Sequence, residues 1–141
     1  VDYALKNSLG YRINKVANSI NTHLNKCLEP HDIGIEQRAL LEIIKFEPNV
    51  NQTMIAKLLG KDKTTISRAL NALEKKELIV KSKTPNDKRT YAIELTNKAE
   101  EILQKSVEQI AHFRESLQAQ LCKQEQEALF NTLEKITTFL K

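Results

Sequence analysis

Between Asn51 and Leu95 the apolar residues change their period, and that change constrains the fold more than any other feature of the chain. Ile55, Ala56 and Leu59, then Ile66, Ala69, Leu70 and Leu73, recur at helical spacing. Tyr91, Ile93 and Leu95 instead alternate, as a strand does. Two helices can cross tightly only where a small residue sits at the crossing, and Ala56 supplies it. Gly60, four residues on, offers the positive φ of a short turn, and Ile66, six further, plugs the second helix onto the first. Asn51 is an N-cap for the helix 52–59, and Asp62 or Lys63 opens the next, running to about Lys76. Strands are expected over 79–84 and 90–95, joined by the turn signal Pro85-Asn86-Asp87-Lys88-Arg89.

The flanks are helical. Leu5, Leu9, Ile13, Val16, Ile20, Leu24 and Cys27 trace one stripe, predicting a helix from Tyr3 to Leu28 that Pro30 and Gly34 close. A helix over 35–46 follows, with Leu40, Leu41, Ile43 and Ile44 inward. After the hairpin, Thr96 caps a helix from Asn97 to about Leu121, and a last one spans 123–140. The fold class is mainly α with a small β wing, in the order α-α-α-α-β-β-α-α: a winged helix-turn-helix plus a helical dimerisation region. Residues 1–34, 35–96 and 97–141 are expected to be the N-terminal dimerisation helix, the winged region and the C-terminal dimerisation helices of one compact domain. The terminal stripes are longer and wider than covering the winged core requires, which favours an interlocked homodimer over an internal bundle.

Several function classes drop out. With glycine only at 10, 34 and 60, no GxGxxG or Walker loop can exist. His23, His31 and His112 are scattered, without HExxH or zinc spacing, so neither a metal nor a cofactor is expected. Cys27 and Cys122 show no CxxC pairing and read as buried small hydrophobes instead of redox thiols. No apolar run exceeds three residues, so no membrane span is expected, and the expected location is the cytoplasm. Val1 in place of Met suggests that a few residues precede it.

Charge points to the partner. The chain has 22 basic and 18 acidic side chains, and residues 61–90 hold nine of the first against four of the second. One thirty-residue segment thus carries the whole surplus, the footprint of a phosphate-facing surface. Within it, Thr64, Ser67, Arg68, Asn71 and Lys75 form a continuous strip on the exposed side of the second short helix. Short hydroxyls near a helix start suit phosphate, while Arg and Asn can bond base edges bidentately in a major groove. The expected DNA-binding residues are Lys63, Thr64, Thr65, Ser67, Arg68 and Asn71 on the helix, with Lys83, Asp87, Lys88 and Arg89 on the wing.

The run Thr64-Thr65-Ile66-Ser67-Arg68-Ala69-Leu70-Asn71-Ala72-Leu73-Glu74-Lys75-Lys76 resembles the recognition helix of the MarR family of bacterial regulators. Asp87-Lys88-Arg89, with Leu95-Thr96 beyond the second strand, is similar to that family's wing signature, and Leu9-Gly10-Tyr11-Arg12 and Gln37 extend the likeness over essentially the whole chain. The resemblance implies that Arg89 enters a minor groove with Asp87 holding its guanidinium, and that the helix residues lie in the major groove. It implies double-stranded DNA with a pseudo-palindromic operator, a homodimer formed by the terminal helices, and, most often in families of this kind, repression. Many relatives release DNA when a small aromatic or phenolic effector binds between the dimer and DNA-binding regions, although no residue pattern here identifies a ligand. Two positions depart from the family: Glu77 and Ala99 stand where glycine is usual, so the recognition helix is expected to end in a differently built cap. A winged helix used only for protein contacts would present a neutral or acidic face, contrary to Lys63, Arg68 and Lys75. An enzyme finds no nucleophile–base–acid set.

Overall fold

The computed structural model describes residues 3–84 and 87–141, with side chains other than those of 84–90. Its helices are α1 (Leu9–Leu28), α2 (Ile35–Phe46), α3 (Gln52–Leu59), α4 (Lys63–Lys75), α5 (Asn97–Gln118) and α6 (Lys123–Leu140). The strands β1 (Ile79–Thr84) and β2 (Asp87–Leu95) pair antiparallel, Ile79 opposite Leu95 and Lys83 opposite Tyr91. Pairing runs further toward the tip than the turn signal suggested, with a register shift between Lys83 and Thr84. The described residues fall into two compact units, one through residue 106 and one from 107 to 141.

The first helix starts later than its stripe. Residues Ala4–Asn7 form a 3-10 turn, and Ser8, extended at ψ 131°, caps α1 by accepting the Tyr11 N–H. A serine that bonds the backbone this way ends one helix and begins another, whatever the apolar spacing around it. Asn25 on α1 reaches across to accept the Ile35 N–H at 2.7 Å, so α1 fixes where α2 begins.

The core of the first unit gathers Leu24 and Leu28 from α1, Leu40, Leu41 and Ile44 from α2, and Ile55, Ile66, Leu70 and Leu73 from the two short helices. Ala56 is buried at the crossing and Gly60 takes φ 64°, with the Lys61 N–H donated back to the Ala56 carbonyl. The helix-turn-helix is therefore built as the spacing required.

Arg38 is the surprise of this core. It is only 2% exposed, although nothing in its neighbourhood marked it as inward. Its Nε donates to Ser106 Oγ at 2.9 Å and its Nη1 to Glu42 at 2.7 Å; the Ser106 hydroxyl in turn donates to the Ile102 carbonyl. A buried guanidinium is tolerated because its donors are met. The result is a polar rivet between α2 and the start of α5.

The cap at the end of α4 corrects an expectation. Glu77 does not avoid the glycine-like conformation; it adopts it, at φ 60°. The Leu78 N–H donates to the Leu73 carbonyl and the Glu77 N–H to the Glu74 carbonyl, which is the left-handed helix stop that glycine usually makes. Thr96 secures the same corner, donating its hydroxyl to the Glu77 carbonyl at 2.7 Å and accepting the Ala99 N–H. Ala99 is fully buried there, so its methyl is accommodated. A left-handed Glu carries a Cβ penalty of about 1 kcal/mol or somewhat more, and its charge faces the negative helix end. Glycine's extra unfolded-state freedom returns part of that. Glu77→Gly is therefore expected to stabilise the protein by about 0.5–1 kcal/mol, raising the midpoint of thermal unfolding by about 3 °C. A lowered midpoint would show that Glu77 holds the corner through its side chain.

In the second unit the turn from α5 into α6 is stitched by Gln126, whose amide donates to the carbonyls of Gln118 and Leu121. The apolar stripe of α6 finds little cover: Leu129, Phe130, Leu133, Phe139 and Leu140 are all exposed. The same holds for the 3-10 turn and the front of α1 in the first unit, where Leu5, Leu9, Ile13 and Val16 lie open, Leu9 by 67%. Among the described residues no helix is long and apolar enough to cross a membrane.

Candidate nucleic-acid interface

The exposed side of α4 begins with its cap. Asp62 accepts the Thr65 N–H at 2.7 Å, and that bond, reinforced by the Thr65 hydroxyl, holds its carboxyl below the ordinary aspartate range. Lys63, Thr64, Thr65, Arg68 and Asn71 are exposed, and Ser67 is half-buried. Buried Ile66, Leu70 and Leu73 hold the opposite side, so the polar strip is turned outward by core packing.

The strip does not act as one surface. Lys63, Ser67 and Asn71 line a groove whose other wall is the hairpin, through Lys81, Lys83 and Tyr91. Gln52 closes one end by donating to the Lys63 carbonyl at 2.9 Å, which locks the start of α3 to the start of α4. Thr65 lies away from this groove, against the side facing α2, where its hydroxyl serves the cap. Thr64 and Arg68 stand on the open surface outside the groove lining, and Arg68 makes no ion pair among the described residues. The backbone of Asp87, Lys88 and Arg89 belongs to β2, and their side chains lie outside the described residues.

Sequence reasoning missed two parts of this site. Tyr91 and Ile93, expected together on one side of the hairpin but given no role, line the groove, Tyr91 being exposed. Lys81 went unremarked, yet it sits at the centre. Its ammonium donates to Asn71 Oδ1 at 2.6 Å and lies 3.9 Å from the Glu74 carboxylate. Alternation alone could have placed Lys81 beside Lys83, but not opposite Asn71 across the groove. The basic surplus also needs trimming. Lys76 donates to the Asp32 carbonyl at 2.6 Å and to Gln37, so it anchors the end of α4 instead of facing a partner.

Among the described residues, no group of three or more His, Cys, Asp or Glu side chains converges on a point that could hold a metal. Both cysteines are free, and Cys122 corrects an expectation: it is exposed at the N-cap of α6, with its N–H donated to Glu125, and Cys27 is half-buried. A chain turn places residue 122 outside because the helix it starts must present Glu125 to the cap.

Comparison with known proteins shows what the winged region is similar to. Residues 34–91, from the start of α2 into β2, match the MarR family model. The regulator BilQ of Clostridioides difficile is 28% identical over 96 residues, 68% of this chain and 65% of its own length. MhqR of Bacillus subtilis is 26% identical over 61% of this chain and 59% of its own, so the chain spans less than two thirds of these curated relatives. Among solved structures, the S. aureus MepR–DNA complex superposes with a TM-score of 0.86 at 25% identity, covering 93% of this chain and 97% of that one. A mutant of E. coli MarR complexed with operator DNA gives 0.82 at 26% identity, over 91% and 92%. The winged helix-turn-helix and most of the groove between α4 and the hairpin thus lie within the segment that is similar to the MarR family.

Proposed function

We propose that this protein is a sequence-specific DNA-binding transcriptional regulator, not an enzyme, which works as a homodimer on a pseudo-palindromic operator and represses. The observation that carries this reading is the groove between α4 and the hairpin, lined by donors and cations and set in the most basic stretch of the chain. In the proposed docking, α4 lies in the major groove, where Lys63, Thr64, Ser67, Arg68 and Asn71 meet bases and phosphates. Thr65 supports the cap, Lys83 and Lys88 meet phosphate, and Arg89, steadied by Asp87, enters the minor groove. The exposed faces of α1 and α6 are the proposed dimer surfaces. The relatives are regulators, and a repressor of this kind works where the chromosome lies, in the bacterial cytoplasm.

A small aromatic molecule is the proposed effector class. An apolar recess of about 180 Å³ lies between α2 and the two short helices, lined by Ile35, Leu40, Leu59 and Ile66 with Lys61 at its edge. A dry cavity of about 150 Å³ suffices for benzene.

Docking is tested by separating base contacts from phosphate contacts. A base-reading side chain is worth about 1–3 kcal/mol against the wrong base, whereas a phosphate contact adds affinity to every sequence. Arg68→Ala is expected to flatten the preference for operator over scrambled duplex. Lys88→Ala should weaken both duplexes together and lower the log–log salt slope by about one per monomer. Arg89→Ala should fall between, because a minor-groove arginine reads groove width as well as charge. Binding titrations on both duplexes at several salt concentrations give the answer, and equal losses for Arg68→Ala would move that residue onto the backbone.

A further inference from the structure

Asn71 is the one amide on the outward side of α4, and an amide can face a base in two ways. Offering oxygen and nitrogen together, it pairs bidentately with adenine, accepting from N6 and donating to N7. Offering nitrogen alone, it can only donate. The Lys81 ammonium has three donors and no acceptor, so the amide atom 2.6 Å from it is the oxygen. The contact is held in place. The Lys81 side chain is only 18% exposed, its stem leaves β1 across the groove, and Glu74, one turn beyond Asn71, stands 3.9 Å from the same ammonium. Glu74, Lys81 and Asn71 thus form a short line from carboxylate through cation to amide.

We propose that Lys81 is a specificity-determining residue: by holding Asn71 Oδ1, it turns the Asn71 amide nitrogen outward and makes this point of the groove a guanine reader. Beside Asn71 the groove then presents donors in place of the amide's acceptor. The Asn71 NH2 group and the remaining protons of Lys81 face the partner, and Lys81 takes the Oδ1 lone pair that a bidentate adenine contact would use. The positive charge beside Oδ1 also repels the adenine N6 amine, while the N7 and O6 atoms of guanine are both acceptors and welcome it. Lys81 is a positioning residue here, acting on the base through Asn71. The inference rests on the proposed docking of α4 in the major groove.

The test is selection of the full-length protein from a pool of duplexes with randomised sequence, followed by sequencing of the bound fraction. The parent protein is expected to enrich guanine at one position of each half-site, and Asn71→Ala to lose preference at that position alone. Lys81→Met keeps the stem and removes the ammonium, freeing Oδ1. It should shift that same position from guanine toward adenine by about tenfold, one bidentate contact's worth of discrimination at the lower end. Thermal unfolding of each variant, matched to the parent, establishes that all are folded. If Lys81→Met lowers binding equally to all sequences and leaves the motif intact, Lys81 is a phosphate contact and the proposal falls. The proposal falls equally if Asn71→Ala changes no position, or if the parent prefers adenine there. Failure of the underlying docking would look different: the parent would enrich no motif, or Arg68→Ala and Asn71→Ala would both leave the motif unchanged.

Discussion

Replacing Arg38 by alanine should lower the unfolding free energy by about 3 kcal/mol, roughly a hundredfold in the folding equilibrium. The reasons are volume and satisfaction together. The arginine fills space between α2 and the start of α5 that is closed to solvent, and a truncation there leaves a cavity which a well-packed core only partly collapses to fill. It also removes the Arg38 donor from Ser106 and from Glu42. Those acceptors suffer little, since the Ser106 hydroxyl still bonds the Ile102 carbonyl and Glu42 is partly open to water. The two causes can therefore be separated. Arg38→Met keeps most of the volume and should cost below about 1.5 kcal/mol, because replacing a buried cation by an apolar side chain of similar size also removes its desolvation cost. Ser106→Ala does the reverse, leaving a buried guanidinium proton unmet, and should cost about 1–3 kcal/mol. Urea unfolding at one fixed protein concentration measures all three. A loss under 0.5 kcal/mol for Arg38→Ala, on the order of a typical surface substitution, would mean that the rivet holds nothing.

The second large effect concerns assembly. In a single protomer Leu5, Leu9, Ile13 and Val16 of the N-terminal segment, and Leu129, Leu133 and Phe139 of α6, lie exposed, Phe139 by 85%. Exposed apolar stripes of this length call for a partner surface. The protein is expected to sediment at about twice 16.1 kDa. Deleting residues 123–141 should uncover apolar surface and cause instability or aggregation. A gentler change is the double substitution Leu129→Lys with Leu133→Lys, which places two charges in the proposed interface and should give a folded monomer. Such a monomer keeps its contacts with one half-site but loses the second as an intramolecular event. Affinity for a full operator should then fall by about 10²–10⁴-fold, while affinity for an isolated half-site changes little. Sedimentation and titration on full and half operators decide it. A parent protein that is a well-folded monomer at micromolar concentration would overturn the dimer.

Much of the architecture was legible because its signals are local. Asn51, Gly60, Asp62 and Thr96 each act within a few residues, through a cap or a left-handed turn, and the short helices end where those residues stand. Ser8 was equally local and was outweighed by the stripe running through it, so the first helix was drawn six residues too long. Glu77 misled in the opposite way. A residue that lacks glycine's freedom was expected to change the cap, but the Leu73 carbonyl and the Thr96 hydroxyl hold the corner strongly enough to force φ 60° on a glutamate.

The sequence by itself determined the order of elements, the outward strip on α4 and the charge that surrounds it, because periodicity, capping and composition are properties of neighbours along the chain. Only the tertiary structure decided what those side chains do. It sent Thr65 to the cap and Lys76 to the Asp32 carbonyl, sank Arg38 against Ser106, and brought Lys81 across from β1 to grip Asn71. Each of these is a hydrogen bond between residues whose separation is set by packing, except the Thr65 cap, where two local roles competed for one hydroxyl. A side chain's reach is a few ångströms, and which partner falls inside it across a groove is fixed by how buried Ile66, Leu70 and Leu73 seat the helix against the core.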